Sequence, residues 1–146
     1  MKNFLCILLA GGLLGAGLHS AMGGTKDKTK KKRNVTTVLR VLDEETIVGS
    51  VRFRATSGGK LEVDVVVASG APAEGFSVAF SYTVVGGPQS TISRLGHLET
   101  DQDGNGNGHY EVDLSPIAGL RIMPWVHLIA SDRRYRNDEV VVELKQ

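Results

Sequence analysis

Residues 75–85 read GFSVAFSYTVV, and large apolar side chains fall at every second position, from Phe76 to Val84. Small or polar residues, such as Ser77 and Thr83, fill the positions between them. Successive side chains of a β-strand point to opposite faces of a sheet. This period of two therefore predicts a strand with one face in a core and the other in water.

The same alternation recurs along the chain from Val35 onward, and no stretch after the N-terminal region has the period of a helix. Strands at such spacing, each with one apolar face, are typical of two antiparallel sheets packed face to face, and a barrel is the alternative. We therefore predict an all-β fold, a two-sheet antiparallel β-sandwich of seven or eight strands near residues 35–42, 46–55, 60–68, 75–85, 90–100, 108–114, 122–131 and 139–145.

Turn-forming residues separate these predicted strands. The run Ser57-Gly58-Gly59-Lys60 predicts a hairpin between the second and third strands. Gly96 predicts a bulge, because the alternation changes phase around it. The run RRYRND at residues 133–138 is polar and is interpreted as a turn before the last strand.

The N-terminal region has the order of a secretory signal peptide. A short positive start is followed by an uncharged run from Phe4 to Leu18 and then by small residues. We predict a signal helix in residues 1–23 that is cleaved after Gly23, with cleavage after Gly24 as a close alternative. The product is then secreted or periplasmic and is not an integral membrane protein, and an uncleaved anchor is the alternative. The only cysteine, Cys6, lies in the predicted signal, so the 123 remaining residues hold no disulfide or thiol site.

A basic arm follows the predicted signal. Residues 25–34 read TKDKTKKKRN, with six basic residues against one acidic residue, whereas residues 35–146 hold ten basic against fifteen acidic. Without apolar residues to bury, residues 24–34 are predicted to be a disordered linker before a domain at 35–146. The linker is either a spacer or a weak contact to anionic surfaces through Lys30, Lys31, Lys32 and Arg33. It lacks aromatic residues for base stacking, so sequence-specific nucleic-acid binding is not expected.

One polar loop has the composition of a calcium site. Oxygen-bearing side chains recur at every second position of residues 101–107, at Asp101, Asp103, Asn105 and Asn107. Calcium takes six to eight oxygen ligands, and such spacing can surround it. The position where an EF-hand loop carries a bidentate Glu is Val112, however, and Asn, Asp and Gly also form plain turns. The sequence favours a turn without a cofactor, and a calcium site is the alternative.

The stretch GHLETDQDGNGNGHYEVDL, residues 96–114, resembles the Thr-Asp-x-x-Gly-x-Gly strand–turn–strand of bacterial immunoglobulin-like domains. It is also similar to the corresponding element of transthyretin-like carrier and adhesion modules. The resemblance covers about a sixth of the chain, and it implies an immunoglobulin-like sandwich. It also implies a structural turn that is formed by Thr100, Asp101, Gly104, Gly106 and Gly108.

Three histidines and one tryptophan are further candidates. His97 and His109 lie on the two strands that flank this turn, so with Glu99 or Glu111 they form a candidate zinc site, and plain surface histidines are the favoured alternative. His127 alternates with Trp125 and Ile129 and is interpreted as a partly buried structural histidine. Trp125 is interpreted as a core anchor, with a ligand-stacking platform as the alternative. Pro124 indicates that its strand begins there or lies at a sheet edge.

No catalytic residues are assigned, because the chain has no nucleophile elbow, phosphate loop or HExxH motif. The sequence therefore favours an exported, non-enzymatic binding or structural module that acts on an unknown protein or an envelope polymer. Arg52 and Arg54 are a candidate contact for that partner. The alternatives are a calcium-stabilised adhesion-type module and a small exported enzyme or metal-binding protein.

Overall fold

The computed structural model describes residues 34–88 and 92–146. The predicted signal peptide and the basic residues of the arm lie outside the described residues. Within these ranges the protein contains strands and two short 3-10 turns, at Ser57–Gly59 and Ser115–Ile117. The prediction of an all-β protein is confirmed.

Most of the predicted strands are found close to their predicted positions, and the Ser57–Lys60 hairpin is confirmed. The predicted bulge near Gly96 is also confirmed, because Val78 pairs with Gly96 while Ala79 pairs with Arg94. The strands are β1 (Asn34–Val41), β2 (Ile47–Ala55), β3 (Lys60–Val67), β4 (Gly75–Val84), β5 (Ser93–Glu99), β6 (Gly106–Asp113), β7 (Arg121–Ile129), β8 (Arg134–Asn137) and β9 (Val142–Glu143).

All strand pairs are antiparallel, and eight strands form one continuous ladder in the order β5-β4-β7-β8-β1-β2-β3-β6, with β9 paired to β7. The two end strands of this order, β5 and β6, lie against each other. The Tyr110 hydroxyl on β6, for example, donates a hydrogen bond of 3.0 Å to the His97 carbonyl on β5. The sheet is therefore nearly closed, and the two-sheet sandwich stays a prediction.

The apolar face of each strand points into one shared core. Among the largest fully buried side chains are Phe53 on β2, Phe76 and Phe80 on β4, and Leu128 on β7. The rings of Phe76 and Tyr135 have centroids 5.1 Å apart, so β8 is tied into the core beside β4. Burial of these side chains is the main stabilising contribution to the fold.

The prediction of a plain polar turn at residues 133–138 is wrong, because Arg134–Asn137 forms β8. Tyr135 and Asn137 are only 3% and 2% exposed, and they alternate with the exposed Arg134 and Arg136. This is a period of two in which one of the inward residues is polar. A search for apolar alternation misses it because Asn137 counts as a turn residue. The last predicted strand, by contrast, is reduced to the two residues of β9.

Pro124 lies inside β7, a central strand, and not at its start. On the side away from β4, however, β7 pairs with β8 only at residues 127–129 and with β9 only at residues 121 and 122. Pro124 lies in the gap between these two ladders, where its missing N–H breaks no pairing. The Asn137 side chain fills this gap. Its amide nitrogen donates to the Pro124 carbonyl at 3.1 Å, and its oxygen accepts from the Val126 N–H at 2.6 Å.

Candidate functional site

The outer surface has two halves, which differ in whether their arginines form ion pairs with carboxylates. On β1 and β2, Arg40, Arg52 and Arg54 each contact a carboxylate. On β5, β7 and β8, four exposed arginines have no ion pair within the described ranges, and these are Arg94, Arg121, Arg134 and Arg136. We call the outer surface of β1, β2, β3 and β6 the paired face. The β7 face is formed by Arg94, His97, Ser77, Ala79, Ser81, Trp125, His127, Ile129, Arg134 and Arg136.

Charges on the paired face neutralise one another across neighbouring strands. Asp64 on β3 accepts from Arg52 at 2.7 Å and contacts His109 Nδ1 at 2.6 Å with its other oxygen. Arg54 pairs with Glu62 in the next row. The Arg52 and Arg54 side chains that were predicted as a partner contact are therefore already engaged within the sheet.

Asp64 makes the paired face sensitive to acid. The hydrogen bond with His109, and then the contact with Arg52, lowers the pKa of Asp64 below its ordinary value of 3.8. Folding therefore favours the ionised form of Asp64. The resulting contribution to stability is present above about pH 4 and is lost as pH falls through the lowered pKa. We expect Asp64→Asn to reduce the loss of stability between pH 5 and pH 2, by less than about 1 kcal/mol for an exposed pair. Thermal melts across this range test it, with Asp103→Asn as the control; equal acid sensitivity in the Asp64 variant and the parent would contradict it.

The β7 face has small side chains at its centre and large or charged side chains on both sides. Ser77, Ala79 and Ser81 alternate with the core residues of β4, so they point outward along its length. Across β5, β4, β7 and β8, one row contains Arg94, Ala79, His127 and Arg136, and the next contains His97, Ser77, Ile129 and Arg134. Neither row contains a carboxylate.

Trp125 lies on the β7 face, so its interpretation as a core anchor is wrong. The inward residues of β7 are Ile122, Pro124, Val126 and Leu128, and the period of two places Trp125 on the opposite side, partly exposed. The Arg136 guanidinium carbon lies 5.1 Å from the centroid of the indole ring. Such a contact is a cation–π interaction, and it holds the aromatic ring and the guanidinium together at the surface.

Ser81 and His127 form a polar contact next to Trp125. The Ser81 hydroxyl lies 3.2 Å from His127 Nε2. Burial, and secondly the charge of Arg136, lowers the pKa of His127, so this partly buried histidine is held neutral at pH 7. A serine hydroxyl next to a neutral imidazole is the arrangement of a nucleophile and its general base, but Ser81 is only 2% exposed. A substrate carbonyl cannot approach the Ser81 oxygen, and the contact instead fixes the orientation of the imidazole.

An open cavity of about 420 Å³ borders the β7 face at Trp125 and Arg136. Its lining also includes Asp43, Glu44 and Glu45 of the β1–β2 loop, Asp138 and Glu139, and one further arginine, Arg40. Arg40 holds Asp138 through two hydrogen bonds of 2.9 and 3.0 Å. The β7 face therefore changes from basic to acidic at Trp125, and this change limits the basic surface on one side.

The candidate calcium loop is organised by its own backbone. Asp101 Oδ1 accepts hydrogen bonds from the N–H groups of Asp103 and Asn105, both at 2.9 Å. Asn107 lies farther along, on β6, where it pairs with Val66. Thr100 is buried, and its hydroxyl donates to the Ala71 carbonyl at 2.5 Å. These contacts explain the turn without a metal ion, and calcium binding stays a prediction.

Replacing Asp101 with alanine is expected to lower the free energy of unfolding by about 1–2 kcal/mol, because two loop N–H groups lose their acceptor. Replacing the exposed Asp103, whose side chain has no partner among the described residues, should change it by less than about 0.5 kcal/mol. Chemical denaturation measures both values, and equal effects of the two variants would contradict this role of Asp101.

The Asp101 variant also tests the calcium hypothesis. If the loop binds calcium, millimolar calcium raises the melting temperature of the parent relative to a chelator, and Asp101→Ala removes the increase. An unchanged melting temperature of the parent would contradict calcium binding.

The structure gives the two candidate zinc histidines separate partners. His97 Nε2 lies 3.5 Å from Glu99, whereas His109 contacts Asp64, a residue that the sequence did not single out. Glu111 pairs with Lys60. Within residues 34–88 and 92–146, no group of three or more His, Cys, Asp or Glu side chains is placed to hold a metal ion.

The sequence analysis missed the arginines of the β7 face and Asn137. The signal that was available is the run RRYRND, in which Arg134 and Arg136 share one face of a strand.

Neither described range contains a helix that is long and apolar enough to cross a membrane. No protein-family model matches the chain, and no curated protein matches it in sequence.

Proposed function

We propose that this protein is an exported, non-enzymatic module that binds its ligand through the β7 face. The observation that carries the proposal is the contrast between the two outer faces. On the paired face the arginines are neutralised by carboxylates of the same sheet, whereas on the β7 face they are exposed and have no such partner in the described part of the chain. Exposed arginine beside tryptophan is the composition that is enriched where proteins bind partners.

The arrangement of the β7 face supports binding more than catalysis. Ser81 is buried, and no carboxylate among the described residues bonds to the His127 imidazole to orient it. The rigid ladder between β4 and β7 instead holds Trp125 and its neighbours in fixed positions. A preorganised surface loses little conformational entropy when a ligand binds.

Two finer features belong to the same proposal. We interpret the nearly closed sheet as two layers that are joined at β8, because β8 shares only three residue pairs with β1 and three with β7.

We also propose cleavage after Gly23 during export. N-terminal sequencing of the protein recovered outside the cytoplasm should then begin at Gly24, and an intact Met1 would contradict export by this route.

A matched pair of surface variants tests the binding proposal. Ile129 on the β7 face and Val66 on the paired face are both exposed apolar residues, at 37% and 46%. Ile129→Glu and Val66→Glu therefore add the same charge to opposite faces with little effect on the core. We expect only Ile129→Glu to abolish capture of the full chain by isolated envelope and extracellular polymers. The proposal fails if both variants bind as the parent does, or if only Val66→Glu loses binding.

A further inference from the structure

We propose that the β7 face binds an anionic polysaccharide, with Arg94, Arg134 and Arg136 contacting its carboxylate or sulfate groups. This inference rests on the proposed function and adds the chemical class of the ligand to it. The three arginines are exposed and have no ion pair within the part of the chain that the structure describes.

Arginine recognises planar anions because its guanidinium donates several hydrogen bonds in a fixed plane. An arginine that is already bound to a carboxylate, as Arg52 is to Asp64, has less capacity for a ligand. The arginines of the β7 face keep that capacity. The nearest carboxylate on the outer side of β5, Glu99, lies beside His97 at 3.5 Å and not beside an arginine.

The spacing of these arginines suits an extended ligand better than a single small anion. Arg94 and Arg136 lie at the two ends of one row, three strand positions apart, which is a separation of about 14 Å at the usual strand spacing. Arg134 and Arg136 are two residues apart on β8, or about 7 Å. A chain that carries charges at intervals contacts all three, and between them it crosses β4 beside the partly exposed Ser77.

The face favours a polysaccharide over a single-stranded nucleic acid. Proteins that bind single strands combine basic grooves with aromatic side chains on which successive bases stack. The β7 face offers one aromatic side chain, Trp125, and Arg136 already lies against its ring. Sugar polymers with repeated charges need no series of stacking platforms. The carboxylates that line the cavity at Trp125 and Arg136 also disfavour an anionic chain on the far side of Arg136.

Fluorescence of Trp125, the only tryptophan of the chain, reports binding directly in the full-length protein. The probe is a size-defined heparin oligosaccharide, with neutral dextran and a dT oligonucleotide for comparison. We expect heparin to change the Trp125 emission in a saturable and salt-sensitive way. Arg134→Gln combined with Arg136→Gln should weaken the binding about 100-fold, since each charged contact contributes about tenfold.

Two controls separate the β7 face from other basic groups. Arg52→Gln combined with Arg54→Gln removes the same charge from the paired face and should leave the heparin affinity within about twofold. A variant with Lys30→Gln, Lys31→Gln, Lys32→Gln and Arg33→Gln removes basic residues of the arm, and the saturable Trp125 response should remain. Circular dichroism confirms that each variant is folded.

The outcomes distinguish this inference from the proposed function on which it rests. If dextran and heparin bind equally well and the Arg134/Arg136 variant keeps full affinity, the ligand class is wrong while binding at the β7 face stands. Tighter binding of the dT oligonucleotide than of heparin would also overturn the ligand class. If heparin binding is lost only when residues 30–33 are changed, the β7 face does not bind anions and the inference fails. If Ile129→Glu leaves the capture of polymers unchanged as well, the proposed function also fails.

Discussion

Replacing Gly104 with alanine is expected to lower the free energy of unfolding by about 3 kcal/mol or more. Gly104 has a positive φ of 80°, a region that alanine adopts only with strain. A Cβ atom at this position would also lie 2.2 Å from the Gly70 carbonyl oxygen. This oxygen belongs to the backbone of a loop that Gly104 itself holds, because the Gly70 N–H donates to the Gly104 carbonyl at 3.0 Å. A movement of one loop away from the other to make room for the Cβ atom would break this hydrogen bond.

Gly86 provides the matched control. Its φ of 79° is nearly the same, but a Cβ atom there would meet nothing within 4 Å. Gly86→Ala therefore measures the backbone strain alone, which is about 1 kcal/mol. Denaturant titrations of both variants give the difference that is due to the Gly70–Gly104 contact. Equal destabilisation by the two substitutions would contradict the close approach of these two loops.

Replacing Asn137 with alanine is expected to destabilise the protein by about 3 kcal/mol, since a buried donor and a buried acceptor both lose their partner. The Asn137 side chain is the only link that the described residues provide to the Val126 N–H and the Pro124 carbonyl on that side of β7. It also donates to the Asp138 carbonyl at 2.8 Å. Because β8 is short, loss of Asn137 should also loosen the connection between β7 and β1.

Asn107 is the control for this substitution, because it is exposed on β6 and its side chain has no partner within the described ranges. Asn107→Ala should change the stability by less than about 0.5 kcal/mol. Hydrogen exchange gives a second readout, in which Asn137→Ala increases exchange at Val126 more than at β3 amides. If Asn137→Ala and Asn107→Ala are equally stable, the side chain of Asn137 does not complete the sheet beside Pro124.

Alternation of apolar residues was sufficient to locate the long strands. Phe76, Val78 and Phe80 point into the core as their spacing predicted, because a strand in water must bury one face. The same rule did not find β8, which has four residues and buries Asn137 in place of an apolar side chain. The burial of Asn137 depends on the gap that Pro124 leaves in β7, and the two residues are 13 positions apart in the sequence.

The faces of the strands were harder to predict than the strands themselves. Trp125 is a large apolar residue of the kind found in cores, but its neighbours Pro124 and Val126 occupy the inward positions of β7. Strand order decides which charges meet. Arg52 meets Asp64 because β2 and β3 are joined by a hairpin that the sequence shows. Arg94 and Arg136 share a face only because β4 and β7 lie between them, and this order is not visible in the sequence.

Amide chemical-shift mapping of the full chain with the heparin oligosaccharide tests the location of the binding surface most directly. The largest changes are expected on β4, β5, β7 and β8, with the Trp125 indole N–H among them, and they should disappear in the Arg134/Arg136 variant. Shifts confined to the paired face, around Arg52 and His109, would contradict binding at the β7 face.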